Sequence, residues 1–204
     1  MRSITELFEE AKWGQLTEKE IAYVAQKLSE ASPGNDNDLD KLIYILGRIG
    51  AHQYRKLIEP FLFYPSDPEI SGVALYALCG QLGYAQDFLK EMKAFIRGVE
   101  WDDGHVKLRA ISRSGEFLRR TPEKELLELL VEVYEATKNA EIPLDEEYSD
   151  ESLIHETVFI ALARAVGKEW KELLHLQGEE ERPLTQEFIS SIIEKAHQII
   201  QGLK

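Results

Sequence analysis

Apolar residues recur three and four positions apart along almost the whole chain, and this spacing constrains the fold more than any other feature. Leu75, Leu78 and Leu82 follow it, and the segment 154–166 repeats it over several turns. Alternation with a period of two, which would indicate strands, is scarce. Because this spacing places apolar side chains on one face of a helix, the chain is predicted to be all-α.

Local signals for helix ends agree with this prediction. Thr17 with Glu20 forms a capping-box pattern, and Thr121 before Pro122 predicts a cap followed by a proline in the first turn. Glycine is favoured just after a helix, and three glycines are expected to end helices: Gly50, Gly83 and Gly167. The predicted helices cover residues 3–12, 18–31, 37–49, 53–63, 68–82, 85–98, 104–119, 122–138, 151–166, 168–176 and 184–201.

The helices recur in pairs. The stretch LGRIGAHQYRKLIEPFL from Leu46 aligns with CGQLGYAQDFLKEMKAFI from Cys79 at a shift of 33 residues. The helix that follows Asp67 and Pro68 has further copies at shifts of 36 and 84 residues, the larger shift including an acidic insertion. A period in the thirties built from two helices is typical of an α-solenoid, because one pair cannot bury its own apolar stripe.

The repeated segment resembles the short bacterial HEAT-like repeats, whose second helix opens with Asp-Pro-x-Val-Arg and continues through Ala-x-x-x-Leu-Gly. The matching residues are Asp67, Pro68, Glu69, Ile70, Ala74 and Leu78 in one copy, and Asp103, Gly104, Val106, Lys107 and Ala110 in another. The arginine of the family motif is Ser71 or Lys107 here, so an incomplete ladder between repeats is expected. The resemblance implies one domain over 1–204, a right-handed α-solenoid of four to five helix pairs over about 18–176, with a capping helix over about 184–204.

Composition excludes several classes of partner. The chain has 37 acidic and 24 basic residues, a formal charge of -13, so its field repels nucleic acid and anionic membranes. No segment approaches the roughly 18 apolar residues of a membrane span, and the opening residues do not resemble a secretory signal, so a cytoplasmic location is expected. Cys79 is the only cysteine; it cannot form an internal disulfide and is interpreted as a buried apolar side chain.

No sequence motif indicates catalysis. His155 and Glu156 resemble one metal-binding pair of deoxyhypusine hydroxylase, but such a centre needs several pairs, and no other histidine precedes an acid. Zinc-protease, phosphate-loop and serine-elbow motifs are missing. The prediction is therefore a protein that is not an enzyme and needs no cofactor or metal. A metal-dependent hydroxylase or a pigment-lyase-like enzyme is the alternative from another class.

Several charged or aromatic features leave two interpretations open. A basic cluster consists of Lys107, Arg109, Arg113, Arg119 and Arg120, and either pairs with acids such as Asp102, Asp103 and Glu116 or binds an anion.

The acidic segment 139–151 is either solvated or a docking loop with Tyr148 as its anchor. Trp101 is either a core residue or an interface anchor. Trp13 and Trp170 are interpreted as packing residues, and the apolar face of the last helix either closes the stack or forms a dimer.

These features favour an acidic scaffold that binds another protein, with the second helices (about 37–49, 68–82, 104–119 and 151–166) lining a concave face. By analogy of fold and charge, we expect a bacterial immunity protein that neutralises a basic toxin; an adaptor or regulatory protein is the nearest alternative. The expected protein-binding residues are Tyr44, Glu69, Tyr76, Trp101, Asp102, Asp103, Arg109, Arg113, Glu116, Glu147, Tyr148, His155 and Glu156.

Overall fold

The computed structural model describes residues 2–31, 38–102, 104–138, 150–168 and 185–203. These residues form helices joined by turns, with no β-strand among them, which confirms the all-α prediction. The α-helices are α1 (Ile4–Ala11), α2 (Glu18–Glu30), α3 (Leu39–Arg48), α4 (Arg55–Ile58), α5 (Pro68–Leu75), α6 (Leu89–Arg97), α7 (His105–Leu118), α8 (Lys124–Thr137), α9 (Asp150–Ala165) and α10 (Gln186–Gly202). The helix predicted at 168–176 and Trp170 lie outside the described residues.

Three predicted helices have a mixed geometry, and the one predicted at 85–98 consists of a short 3-10 turn, Ala85–Phe88, followed by α6. The segment predicted at 53–63 consists of α4 between two short 3-10 turns, His52–Tyr54 and Glu59–Leu62. Pro60 lies in the second turn, and since proline has no amide hydrogen it interrupts the α-helical pattern there. The segment predicted at 68–82 begins as α5 and continues as a π-helical turn over Tyr76–Gln81.

Helix starts agree with the sequence at Thr17 but not at Thr121. The Thr17 hydroxyl accepts from the Glu20 amide, and the Glu20 carboxylate accepts from the Thr17 amide at 2.9 Å, which confirms the capping box. The predicted cap at Thr121 is wrong, because its amide still donates to Phe117 in the last turn of α7. Helix α8 therefore begins later, at Lys124, and the carboxylate of Glu123 caps it.

Glycine ends the helices where the sequence predicted. Gly50, Gly83 and Gly167 have φ angles of 69°, 75° and 89°, in the left-handed region that side chains with a Cβ disfavour. Each lies just after a helical segment, so these three stop signals are confirmed.

The chain divides into two compact units, Met1–Glu91 with Arg97–Arg109 (unit 1) and Met92–Ile96 with Ala110–Lys204 (unit 2). In unit 1, α1 and α3 run parallel. Lys41 contacts Thr5, Tyr44 contacts Phe8 and Arg48 contacts Lys12, each pair separated by 36 residues. The unit 1 core contains fully buried side chains from successive helices, including Leu7, Val24, Ile43, Leu46, Ile58 and Leu75.

A second set of contacts in unit 1 joins residues 32 positions apart in the sequence. The Arg55 guanidinium binds the Asp87 carboxylate at 2.6 Å and lies over the Tyr84 ring, 4.2 Å from its centroid. His52 contacts the same tyrosine through its hydroxyl at 3.0 Å. These contacts join the α4 segment to the turn that precedes α6, beyond α5 in the sequence.

Unit 2 is built around α8 and α9, with α10 packed on both. Helices α7 and α9 approach closely at Gly115, where an added Cβ would lie 2.6 Å from both the Cα and the carbonyl oxygen of Ala161. Ile192 and Ala196 are the buried residues of α10. The unit 2 core also contains fully buried side chains from the other helices, including Met92, Phe95, Ile111, Leu130, Val158 and Leu162.

Candidate protein-binding surface

Glu69 and Arg109 form an exposed charged pair in unit 1. The Arg109 guanidinium donates to the Glu69 carboxylate, and the His105 ring lies 3.9 Å from the other oxygen of that carboxylate. All three side chains are more than one third exposed. The pair therefore satisfies the charge of Arg109 within the chain, in agreement with the ion-pair interpretation of the basic cluster.

Small side chains on α5 set the position of Arg109. Gly72 has no Cβ, and an added one would lie 2.6 Å from Arg109 Cδ, so the arginine stem lies across the glycine. Ser71 is fully buried, and its hydroxyl accepts from the Tyr64 amide at 2.9 Å. An arginine could not replace Ser71 without burying its charge.

Tyr44 and Tyr76 are half-buried residues of unit 1. Tyr44 packs on Phe8 with ring centroids 4.9 Å apart and keeps part of its surface exposed. Tyr76 begins the π-helical turn after α5. Both tyrosines have exposed surface that a partner could contact.

Trp101 and Asp102 are half-buried, and Asp102 has a structural role that the sequence did not reveal. Its two carboxylate oxygens accept from the amides of Val106 and Lys107, at 3.0 and 2.9 Å. The side chain thus satisfies two amides at the start of α7. Asp102 is therefore unsuitable as a probe of partner binding, since replacing it also disturbs α7. Its neighbour Asp103 lies outside the described residues, as do Glu147 and Tyr148.

The capping role of Asp102 gives a stability prediction. Asp102→Ala is expected to lower the free energy of unfolding by about 1–2 kcal/mol, because two amides of α7 lose their acceptor. Asp102→Asn is the comparison: its single carbonyl oxygen can accept from only one of the two amides, so it should lose less stability than Asp102→Ala. Urea unfolding followed by circular dichroism checks both variants. Equal losses in the two variants would contradict the capping role, because the remaining acceptor of asparagine would then contribute nothing.

In unit 2, Glu116 lies between two arginines. Arg113 binds one of its carboxylate oxygens at 2.7 Å, and Arg164 lies 3.4 Å from the other. Arg113 and Arg164 are about one fifth exposed, whereas Glu116 is 45% exposed. The predicted residues Arg113 and Glu116 therefore form an ion pair within α7, and Arg164 of α9 lies close to the same carboxylate, which stays partly exposed.

His155 packs against α8. Its ring stacks on Tyr134 with centroids 4.8 Å apart, and Nδ1 lies 3.1 Å from the Thr137 hydroxyl. Burial lowers the pKa of the His155 imidazole and raises that of the Tyr134 phenol. Glu156, its neighbour in sequence, is half-buried. Within the described ranges, no three His, Cys, Asp or Glu side chains are grouped as metal ligands would be.

The packing of His155 predicts a pH dependence of stability. Its folded-state pKa lies below the unfolded value of 6.5, so the unfolded chain takes up the proton first as the pH falls. The neutral, packed His155 therefore contributes to the free energy of unfolding above pH 6.5, and this contribution is lost as the pH falls below that value. Urea midpoints at pH 7.5 and 5.5 should differ less in His155→Gln than in the wild type. The exposed His197→Gln, which should leave the difference unchanged, is the control.

An acidic surface on α8 was missed by the sequence analysis. Glu125, Glu128, Glu132 and Glu135 follow one another at spacings of three, four and three residues and therefore share one helix face, here called the acidic stripe. Lys93 binds Glu125 at 2.7 Å, and Lys138 binds Glu135. Across the described part of the chain, Glu128 and Glu132 have no ion-pair partner. The helical spacing alone could have identified this stripe.

Trp13 was also misjudged: it was interpreted as a packing residue, but 78% of its surface is exposed. It lies just after the last residue of α1, where Gly14 turns the chain with φ of 70°. Its position beyond the end of the helix removes it from the apolar stripe. Gly14, directly after Trp13, was the signal in the sequence that the helix ends close to the tryptophan.

Comparison of the chain with protein-family models, with curated proteins and with solved structures gave no match. The resemblance to HEAT-like repeats is therefore supported only by the sequence motifs of this chain, not by a related protein. Among the described helices, none has an apolar stretch long enough to cross a membrane.

Proposed function

We propose that the protein is a non-enzymatic scaffold of stacked helix pairs that binds a basic protein partner. The observation that carries the proposal is the acidic stripe of α8, two of whose carboxylates, Glu128 and Glu132, have no ion-pair partner in the described segments. Their charge is available to a cationic surface, and the formal charge of -13 extends the attraction over longer distances.

Contacts at regular separations support the repeat architecture. Within unit 1, the pairs Thr5–Lys41 and Lys12–Arg48 are 36 residues apart, and Arg55–Asp87 is 32 residues apart. Within unit 2, Lys93–Glu125 is also 32 residues apart. Equivalent positions of consecutive helix pairs meet in this way when the pairs are stacked. A single right-handed solenoid of four to five pairs, with the second helices on a concave face, stays a prediction.

A bacterial immunity protein against a basic toxin is the partner class that charge favours. Opposite charge accelerates association, and an inhibitor benefits from reaching the toxin quickly. An adaptor or regulatory protein would use the same surface. Gene neighbourhood separates the two, because an immunity gene is expected directly beside the gene of its toxin.

The test begins with recovery of the partner by co-purification and mass spectrometry, followed by rapid-mixing kinetics with the purified partner. We expect an association rate that falls at least about tenfold between 50 and 500 mM salt. We also expect the double variant Glu128→Lys and Glu132→Lys to associate about tenfold more slowly at 50 mM salt.

The matched control is Glu194→Lys, which makes the same kind of charge change at an exposed position of α10. At 50 mM salt, the condition used for the double variant, it should associate within about threefold of the wild type, because Glu194 lies outside the acidic stripe. A recovered partner that is acidic, or one whose association rate is the same in the double variant and the wild type, would reject the acidic stripe as the binding surface.

A further inference from the structure

A second surface, in unit 1, combines aromatic and basic side chains in a chain that is otherwise strongly acidic. This aromatic–basic patch consists of Phe8, Lys12, Trp13, Tyr44 and Arg48. Its members are connected by contacts: Phe8 with Tyr44, the Lys12 amine 4.5 Å from the centroid of the Phe8 ring, and Arg48 with the Lys12 carbonyl at 3.1 Å. Trp13 follows Lys12 directly in the chain.

The exposure of Trp13 is the unusual feature of the patch. Tryptophan is highly buried on average, yet 78% of this side chain is in solvent. Tryptophan, tyrosine and arginine are the residue types that most often carry the binding energy of protein interfaces. Trp13, Tyr44 and Arg48 represent all three types: Arg48 binds the Lys12 carbonyl, which belongs to the peptide bond before Trp13, and Tyr44 lies one helical turn before Arg48.

The charges of the patch identify the chemistry of its occupant. Lys12 is already paired with Glu9 at 2.7 Å. Arg48 is exposed and uses one of its N–H groups to cap the end of α1 through the Lys12 carbonyl. No carboxylate among the described residues pairs with Arg48, so its other donors can take one from outside. The patch therefore has a net positive charge beside an exposed apolar ring.

We propose that the aromatic–basic patch binds a polypeptide segment that presents an apolar side chain next to a carboxylate. The apolar side chain packs on Trp13 and Tyr44, and the carboxylate accepts from the Arg48 guanidinium. This surface has the opposite charge preference to the acidic stripe of unit 2, so it is a separate site and does not depend on the function proposed above.

The test uses a library of random 12-residue peptides displayed on phage, selected on the full chain. We expect enriched peptides to contain Asp or Glu within two positions of Leu, Ile or Phe. The selected peptide, made synthetically, should bind about 30-fold more weakly to Trp13→Ala, as at an interface hot spot. Arg48→Glu should weaken binding by at least as much, because the carboxylate then faces a like charge.

Arg97→Glu is the matched control: it makes the same charge change at another exposed arginine and should leave peptide affinity within about twofold. Circular dichroism confirms that each variant is folded. The proposal is overturned if no peptide is enriched, if enriched peptides lack the acidic and apolar pair, or if they bind Trp13→Ala as tightly as the wild type. It is also overturned if sedimentation shows a dimer that Trp13→Ala abolishes, since the occupant is then a second copy of the chain.

Discussion

A Gly115→Val variant is expected to unfold with a free energy about 3 kcal/mol lower than the wild type. The Cβ of any side chain at this position would lie 2.6 Å from the Cα and the carbonyl oxygen of Ala161. These are backbone atoms of α9, so they cannot move aside by a change of rotamer. The valine therefore forces α7 and α9 apart, and the surrounding core of unit 2 loses contacts.

Gly72→Ala is the matched comparison for this prediction. Here the atoms in the way are Cδ and Nε of Arg109, which belong to a flexible and partly exposed side chain. Because alanine also favours the helix over glycine by about 1 kcal/mol, the stability of Gly72→Ala should be unchanged or slightly higher. Urea unfolding followed by circular dichroism measures both variants. A smaller loss for Gly115→Val than about 1 kcal/mol would show that α9 can adjust without cost.

The sequence predicted the helices well because their signals are local. The capping box at Thr17 and the glycine at Gly83 act within one helical turn, so neighbouring residues suffice to identify them. The cap at Thr121 was wrong for the opposite reason. Thr121 is held by a contact with the end of the preceding helix, and such competition between two helix ends cannot be recognised from either end alone.

The candidate surface was harder to predict, because its residues are defined by partners distant in sequence. Asp102 was expected to bind a partner or to pair with the basic cluster, and its role as the cap of α7 was not foreseen. Glu116 was expected to pair with the basic cluster, but its contact with Arg164 of α9 was not foreseen. Conversely, the exposure of Trp13 depends on where α1 ends, which the helical spacing did not resolve. Helical spacing indicates which face is apolar, but it does not indicate which charges on the opposite face are already paired.

The second large expected effect concerns Gln81, the last residue of the π-helical turn that follows α5. Both polar atoms of its side-chain amide are buried, and neither has a hydrogen-bond partner in the part of the chain described. The amide lies against α3 at Gly47, where an added Cβ would also come within 2.7 Å of the Ala77 Cβ. A buried amide without partners costs stability, whereas an apolar side chain of the same shape does not.

Gln81→Met is therefore expected to raise the free energy of unfolding by about 1–2 kcal/mol, since methionine has a similar length and no hydrogen-bonding requirement. Gln81→Ala is the control, because it removes the amide but leaves a cavity, so it should be less stable than Gln81→Met. The measurement is urea unfolding of the three proteins under one condition. If Gln81→Met is less stable than the wild type, an ordered water satisfies the buried amide of Gln81 in solution. The close approach of α3 to the π-helical turn would then enclose a hydrated polar site rather than a dry contact.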